Sequence, residues 1–363
     1  MITPFGSLDT IDLFDPQRQE EVILAEKTAL IQGLVVERLV DQIIETLFEQ
    51  TKGEVEEIPV EAVIGYHGKG KVAFVEFSHG ESAKLASILC NEMTVVPFRY
   101  DEHAKDFFTS ASAFGKGSKT IQQTPDMNIP LQQWVAARLE LDRKGMISQF
   151  PKVAENVKNT LEQKRMFWGF LRGLYDEQAL VKKILLPRIL KNFAFPGLKI
   201  VDLDRIIRFQ DKLIVLEVKH KFPFGSSKDL KFGLNTGQAD VAQTIAQAGL
   251  RYFHMILVNP IWERDISPKY LFVDFRLRER VSLIGCEILA NSRQKHGTSA
   301  TAPSRTSFDG RKKQSFDLIP LEKFSFIGDL RRPIADVAKG MFQWLNGNGS
   351  PASPNVLLSY RER

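Results

Sequence analysis

Apolar residues recur along the first half of the chain at spacings typical of helices in some regions and of strands in others. Residues 19–49 carry Leu, Ile and Val at helical spacing with charged residues between them, which predicts one long amphipathic helix. Residues 58–64 and 71–77 flank a Gly-containing turn and predict a β-hairpin. The same reasoning predicts helices at two further places, 83–90 and 130–165.

The second half of the chain is richer in predicted strands. Two strands joined by a tight turn are predicted within 199–220, and single strands at 269–277 and 281–289. Residues 291–314 contain almost no large apolar side chains, which predicts a mobile loop or linker. A helix is predicted at 334–345, and the tail from Asn346 onward is expected to be loosely held.

Polar residues interrupt the two apolar strands within 199–220. Asp202 and Asp204 belong to the first strand, and Glu217 and Lys219 belong to the second. Because side chains on a strand repeat every two residues, the two members of each pair share one face. The sequence therefore predicts two carboxylates on one strand, and a carboxylate and an ammonium group on its neighbour.

The predicted turn centres on Gln210–Asp211 and sets the register between the strands. An even-length loop about this centre places Asp204 opposite Glu217. The same loop places Asp202 opposite Lys219, whereas a three-residue loop would shift the register by one. Opposed side chains have Cβ atoms about 4.5–5.5 Å apart, and two carboxylates at that separation repel each other. A bound divalent cation removes this repulsion, and oxygen ligands suit Mg²⁺ or Mn²⁺.

An alternative reading of these charges is the solvated face of an ordinary antiparallel sheet. Both faces of the two strands also carry apolar residues, however, which predicts burial on both sides. Charges in buried strands need partners or a metal. Two metal-binding carboxylates and a nearby lysine are the groups needed for phosphodiester hydrolysis, because the metal activates water and the ammonium stabilises developing negative charge.

Asp204, Glu217 and Lys219 resemble the Asp–x(n)–Glu–x–Lys signature of the PD-(D/E)XK nuclease superfamily, which includes restriction endonucleases and archaeal Holliday-junction resolvases. Twelve residues separate Asp204 from Glu217, as in shorter members of the family. The resemblance covers residues 166–276. Leu203 stands where many members have proline, but that proline is often absent in the family.

The resemblance implies further elements around the two strands. A preceding helix that often carries a glutamate is expected, and residues 174–190 with Glu177 fit it. A following helix and strand are expected, and residues 235–249 and 252–258 fit them. Gln238, near the start of the second helix, resembles the auxiliary glutamine of several branches of the family.

The fold class implied is α/β (α+β), with a central mixed β-sheet flanked by helices in a restriction-endonuclease-like core. This core is expected over residues 166–290, behind an N-terminal α/β module (1–125) and a helical connector (126–165). A flexible linker (291–314) and a C-terminal strand and helix element with a tail (315–363) are expected to follow it.

The activity implied is that of a Mg²⁺- or Mn²⁺-dependent endo- or exonuclease, with DNA favoured over RNA. Asp204 and Glu217, with Asp202 as a further candidate, are the expected metal ligands. Lys219 is expected to assist the attacking water, with Glu177 and Gln238 in supporting roles. The alternatives are a nuclease fold that binds nucleic acid or a protein partner without cutting, and a protein-interaction module with a polar sheet face.

The biological setting is inferred from the family alone. Fusion of a nuclease core to another N-terminal module is common in bacterial restriction and anti-phage defence, so an effector role there is expected. An ATPase or sensor subunit is a candidate protein partner. The apolar stripe of residues 19–49 is expected to pack within the core, with self-association as the alternative.

Composition changes this picture little. The 363 residues are 43% hydrophobic and 26% charged, as in ordinary globular proteins, and suffice for two domains or one enlarged domain. No apolar run reaches the roughly 18 residues needed to span a bilayer, and the start resembles no secretory signal. The two cysteines, Cys90 and Cys286, argue against a disulfide framework, so a cytoplasmic location without membrane contact is expected.

The distribution of charge agrees with a polyanionic substrate. The net charge is +5, but residues 181–233 alone contain twelve Lys or Arg against five Asp or Glu. A basic surface around two metal-binding acids is expected if the substrate is a nucleic acid. The candidate nucleic-acid-binding residues are Lys182, Lys183, Arg205, Arg208, Lys221, Lys228 and Lys231.

Overall fold

The computed structural model of the protein describes residues 1–68, 70–118, 121, 125–263, 266, 270–291, 299–303 and 313–362. The chain forms a mixed α/β structure in which several mixed sheets are flanked by helices, as the sequence predicted. None of the described helices is both long enough and apolar enough to cross a membrane.

The helices occur throughout the described part of the chain. They are α1 Pro16–Leu24, α2 Thr28–Thr51, α3 Ser82–Leu89, α4 Leu131–Arg138, α5 Arg143–Ser148, α6 Thr160–Met166, α7 Arg172–Leu174, α8 Glu177–Leu180, α9 Leu186–Phe193, α10 Thr236–Ala248, α11 Tyr270–Val273, α12 Phe275–Glu279, α13 Ile334–Leu345 and α14 Pro354–Tyr360. The π-helical turns Phe167–Leu171 and Val181–Leu185 join α6 to α7 and α8 to α9.

The strands fall into four sheets within the described residues. They are β1 Ile2–Thr3, β2 Gly6–Ser7, β3 Val55–Ile58, β4 Ala62–His67, β5 Gly70–Glu76, β6 Thr94–Asp101, β7 Asp106–Thr109, β8 Ile129–Pro130, β9 Lys199–Asp202, β10 Arg205–Phe209, β11 Lys212–Lys221, β12 Lys231–Asn235, β13 Arg251–Val258, β14 Ser282–Ile288, β15 Ser299–Pro303, β16 Lys313–Pro320, β17 Ser325–Asp329 and β18 Ser350–Pro351. The two large sheets have the orders β18-β17-β14-β13-β11-β10-β3 and β8-β7-β6-β5-β4-β9.

The hairpin of β10 and β11 has the predicted register. Its turn residues Gln210 and Asp211 both have positive φ, 47° and 62°, as a two-residue type I′ turn requires. Arg205 pairs with Leu216, so the even-length loop is confirmed. Strand β11 then pairs in parallel with β13, and helix α10 makes the connection between them.

Burial of the hairpin on both faces is also confirmed. Leu213 and Val215 belong to an apolar cluster that includes residues of α10. Ile214 and Leu216 belong to a cluster on the other face, where α2 and α13 pack. Charged residues in β11 therefore lie in a strand that is covered on both sides, which is expensive unless they have partners.

The first of the two predicted strands is in fact two short strands in different sheets. Strand β9 pairs with β4, so Asp202 lies opposite Val63. The prediction that Asp202 faces Lys219 is therefore wrong. Leu203 N donates to Ala62 O at 3.0 Å where the chain crosses between the two sheets, and Asp204 directly follows this crossing.

Several other predicted elements are confirmed. The hairpin of β4 and β5, helices α3 and α13, and strand β14 lie where the sequence placed them. The long helix predicted over 19–49 is instead α1 and α2, separated at 25–27. The break is stabilised by Gln163, which donates to the backbone oxygen of Glu26, and by Asn192, which donates to the Glu26 carboxylate.

The C-terminal half differs from its predictions in three places. The predicted strand over 269–277 is instead helix α11 followed by the start of helix α12. Helix α12 begins at Phe275, because the Asp274 side chain accepts from the backbone N–H groups of its first turn. Residue 269 lies outside the described residues. In the stretch 291–314, residues 299–303 and 313–314 belong to strands β15 and β16. The rest of that predicted loop, 292–298 and 304–312, lies outside the described residues.

The tail is packed against the rest of the protein, so the prediction of a loosely held tail is wrong. Leu357 and Tyr360 of α14 are buried, and the Tyr360 hydroxyl donates to Asp329 Oδ2 at 2.8 Å. The seven-stranded sheet takes β3 from segment 1–125 and β17 and β18 from segment 315–363. Strands from three of the predicted segments thus share one sheet with the β10–β11 hairpin.

Candidate active site

The candidate site lies on the face of β11 that is covered by α10. Glu217 and Lys219 project from this face, because they share it with Leu213 and Val215. Asp204 joins them from the residue just before β10. Helix α10, which lies within the helix predicted at 235–249, begins beside them. The Asn235 side chain accepts from Gly237 N, and Gly249 is the left-handed terminal residue.

One ammonium group connects the two carboxylates. Lys219 Nζ lies 2.9 Å from Asp204 Oδ2 and 2.5 Å from Glu217 Oε1. Asp204 Oδ2 also accepts from the backbone N–H of Val218 at 3.0 Å. Glu217 is 1% exposed and Lys219 is 26% exposed, so the cation lies between a buried carboxylate and the surface.

Two neutral donors hold the buried carboxylate from the other side. Gln238 Nε2 donates to Glu217 Oε1 at 3.0 Å from the first turn of α10. The hydroxyl of Tyr252, on the neighbouring strand β13, donates to Glu217 Oε2 at 3.1 Å. Glu217 therefore has donors on both oxygens, which keeps its side chain in one orientation.

Burial and charge shift the pKa values of this cluster. Burial, with the negative charge of Asp204 next in size, raises the pKa of Glu217 to about 7 despite the nearby ammonium. Burial alone would lower the pKa of Lys219, but Asp204 and Glu217 outweigh it and hold that pKa well above its usual range. Lys219 is thus a permanent cation, while Glu217 exchanges its proton near neutral pH.

A second glutamate, absent from the predicted site, approaches from helix α2. Burial and the negative charge of Asp204 raise the pKa of Glu37, while Lys219 opposes the shift. Glu37 is half-buried, and its carboxylate has no hydrogen bond or ion pair to any residue in the described ranges. Its carboxylate therefore has free acceptor capacity and lies within electrostatic range of Asp204 and Lys219.

The structure does not bring two of the predicted residues into this cluster as ligands. Glu177 is 60% exposed and pairs with Arg172 at 3.1 Å, so it lies away from the site. Asp202 pairs with Lys191 at 3.0 Å and with Arg188 at 3.8 Å. Burial would raise the pKa of Asp202, but these two cations hold it far below its usual range, so its charge is already balanced.

Some of the predicted nucleic-acid-binding residues have partners inside the protein. Arg205 is 10% exposed and pairs with Asp41, and Lys221 donates to the backbone oxygen of Gly233. The pairs formed by the others are Arg208 with Glu56 and Glu81, Lys231 with Asp229, and Lys182 with Glu102.

The remaining candidates lie at the surface. Lys183 and Lys228 are exposed, and the side chain of Lys182 is 63% exposed in spite of its pair with Glu102. These three lysines are the members of the predicted basic set whose ammonium groups reach solvent most freely. Arg205 and Lys221, in contrast, contribute charge from inside the protein.

The donor set fits a magnesium-type cation that shares its coordination with substrate and water. In the part of the chain that is described, no three His, Cys, Asp or Glu side chains form a ready-made metal site. Mg²⁺ needs no such cage, since one or two carboxylates with water and phosphate oxygens suffice. Asp204 Oδ1 accepts no hydrogen bond from the described residues, and Glu217 Oε2 accepts only that of Tyr252.

The sequence carried little signal for the two residues that were missed. Glu37 lies within the helix predicted over 19–49. The strand after this helix, β3, pairs with β10, but residues 59–204 separate the two strands, so the sequence does not indicate that they are neighbours. Tyr252 lies within the strand predicted at 252–258, where a buried tyrosine is ordinary. The sequence signal for Tyr252 is its hydroxyl, a polar group on an otherwise apolar, buried strand.

Comparison with known proteins adds no identification. The chain matches no protein-family model, and neither the curated proteins nor the solved structures contain a match to it.

Proposed function

We propose that this protein is a metal-dependent nuclease of the PD-(D/E)XK type, with DNA as the favoured substrate. The observation that carries the proposal is the contact of Lys219 with both Asp204 and Glu217 on a strand buried on both faces. A purely structural hairpin has no need for a buried carboxylate, whose desolvation costs stability.

The surrounding elements support the same proposal. A helix, two strands, a helix and a strand follow one another as α9, β10, β11, α10 and β13, with the short strands β9 and β12, which belong to other sheets, inserted before β10 and before α10. Gln238 reaches Glu217 from α10, as expected of the auxiliary glutamine. Glu37 of α2, whose charge interacts with those of Asp204 and Lys219, is our candidate for the helical glutamate expected of the family, since Glu177 lies away from the site.

In the proposed reaction each group has a separate task. Asp204 and Glu217, with Glu37 nearby, would hold Mg²⁺ or Mn²⁺ through their carboxylate oxygens. A cation held there polarises the scissile phosphate and lowers the pKa of bound water. Lys219 orients the attacking water and stabilises the negative charge that develops on the phosphate oxygens. Gln238 keeps the Glu217 carboxylate in place.

The polyanionic character of the substrate is supported by exposed cations on the same part of the chain. Lys182, Lys183 and Lys228 are available at the surface for contacts with the phosphate backbone. By analogy with the family, the proposed setting is a bacterial restriction or anti-phage system, in which an ATPase or sensor subunit would be the protein partner.

One observation favours a second candidate function. Lys219 already contacts both carboxylates and balances one of their two negative charges, so the cluster is held together without a metal. A nuclease fold that binds nucleic acid or a protein partner without cutting would keep this arrangement. Nucleic-acid binding that is indifferent to Mg²⁺ and to Glu217→Ala would identify this second function.

The test is cleavage of duplex DNA, single-stranded DNA and RNA with Mg²⁺ or Mn²⁺ and, separately, with EDTA. The variants are Glu217→Ala and a matched control, Glu287→Ala. Glu287 lies on β14 and pairs with Arg251 of β13. Glu217→Ala is expected to remove cleavage, because the metal loses a ligand, while Glu287→Ala cleaves normally. Equal cleavage by the wild type and Glu217→Ala would refute the nuclease proposal.

A further inference from the structure

Tyr252 lies beside the candidate site on the strand next to β11. In the parallel pairing of β11 and β13, Tyr252 is opposite Val215 and two positions before the residue opposite Glu217. Residues two apart on a strand share a face, and long side chains reach diagonal neighbours. This geometry brings the Tyr252 hydroxyl to 3.1 Å from Glu217 Oε2.

The ring of Tyr252 is fixed by the core. Tyr252 is 1% exposed and belongs to the apolar cluster that contains Val215 of β11 and Ile245 of α10. A side chain packed on all sides holds its polar tip in one position.

Counting donors shows what this hydroxyl does to the carboxylate. An ionised carboxylate has about four lone-pair positions, two on each oxygen. Glu217 Oε1 already accepts from Lys219 and from Gln238. Oε2 accepts from Tyr252 alone among the described residues. One lone pair therefore remains on the buried carboxylate, and it is on the oxygen that Tyr252 holds.

We propose that Tyr252 is a positioning residue, which fixes the Glu217 carboxylate so that the remaining lone pair of Oε2 serves as the metal-binding one. This inference rests on the proposed function, because it assumes that Glu217 binds a divalent cation. Tyr252 itself touches neither metal nor substrate in this role. Hydrogen-bond partners of metal ligands typically change metal affinity by roughly 10- to 100-fold when they are removed.

The probe is Mn²⁺ alone, measured by calorimetry on the full chain. Tyr252→Phe removes the hydroxyl and keeps the ring, so the packing of the core is conserved. The matched control is Tyr360→Phe, because Tyr360 is also buried and its hydroxyl donates to a carboxylate, Asp329, at 2.8 Å. Tyr252→Phe is expected to weaken Mn²⁺ binding at least about tenfold, while Tyr360→Phe leaves it unchanged.

Cleavage measured against Mn²⁺ concentration separates positioning from general damage. With a positioning role, Tyr252→Phe needs a higher Mn²⁺ concentration for half-maximal cleavage but approaches the wild-type rate at saturation. With a merely structural role, the saturated rate falls and added Mn²⁺ does not restore it. The inference would be overturned if Tyr252→Phe needed the same Mn²⁺ concentration as the wild type for half-maximal cleavage. It would also be overturned if its cleavage rate stayed low at saturating Mn²⁺.

Glu217→Gln distinguishes failure of the inference from failure of the proposed function. If Glu217→Gln loses Mn²⁺ binding while Tyr252→Phe binds like the wild type, the metal site stands and the positioning role is refuted. If Glu217→Gln binds Mn²⁺ as well as the wild type, or if the wild type binds none, both proposals are refuted.

Discussion

Asp204 and Glu217 are joined by a single cation: Lys219 Nζ lies 2.9 Å from Asp204 Oδ2 and 2.5 Å from Glu217 Oε1. The two carboxylates come from opposite sides of a tight hairpin and would repel each other without it. The lysine therefore has a structural task in the metal-free protein that is separate from its proposed task in cleavage. Substitutions in this cluster should change stability and activity in different ways.

Lys219→Met is expected to destabilise the metal-free protein by about 3 kcal/mol, because removing one partner leaves a buried carboxylate without its counter-charge. Added Mn²⁺ should restore part of this loss by replacing the missing positive charge. Urea denaturation with EDTA and with Mn²⁺ measures both effects. The control is Lys231→Met, since Lys231 is similarly exposed but pairs with the exposed Asp229, and its loss should cost at most about 1 kcal/mol.

Glu217 should make the stability of the metal-free protein depend on pH. Its pKa is about 7 in the folded protein against the ordinary 4.5, so the folded state binds the proton more tightly than the unfolded state. The resulting stability is complete below pH 4.5 and is lost as the pH rises through 7. Over this pH range the free energy of unfolding of the wild type should fall by up to about 3 kcal/mol relative to that of Glu217→Gln.

Urea denaturation in EDTA at about pH 5 and about pH 8 measures this difference. Glu177→Gln is the matched control, because Glu177 is 60% exposed and lies away from the site. This control should follow the wild type at both pH values. The prediction fails if Glu217→Gln also follows the wild type.

Glu37→Gln tests whether α2 contributes a ligand to the site. Glutamine keeps the size of the side chain but is a poorer metal ligand, so we expect cleavage and Mn²⁺ affinity to fall roughly tenfold. Glu45→Gln is the control on the same helix, because Glu45 is 52% exposed and pairs with Arg38. Identical Mn²⁺ affinities for the two variants in calorimetry would exclude Glu37 from the site.

Residues of the β4–β5 hairpin support the helix that carries Gln238. Lys71 Nζ lies 2.8 Å from Asp240 Oδ2 and also donates to Thr244 Oγ1, both on α10. Lys71→Met should therefore cost about 1 kcal/mol of stability and lower cleavage by weakening the hold of Gln238 on Glu217. Lys116→Met, which breaks an exposed pair with Glu92, should change neither stability nor cleavage measurably.

Features that depend on neighbouring residues could be predicted from the sequence. The register of the β10–β11 hairpin follows from its two-residue turn at Gln210–Asp211, and the side-chain period of two then places Glu217 and Lys219 on one face. Helix α10 begins at the Asn235 cap and ends at Gly249 for equally local reasons. The proximity of Asp204, Glu217 and Lys219 thus follows from local geometry, whereas Gln238 is expected from the family resemblance.

Features that depend on which sheet or helix packs against which could not be predicted in this way. Asp202 is two residues from Asp204, yet the crossing at Leu203 puts it opposite Val63 in another sheet. Glu37 lies on α2, which packs on the other face of the seven-stranded sheet and still brings its charge within range of Asp204. Tyr252 reaches Glu217 because β13 pairs in parallel with β11. Turn geometry and side-chain period act over a few residues, whereas these contacts join segments far apart in the chain and form only when the whole apolar core assembles.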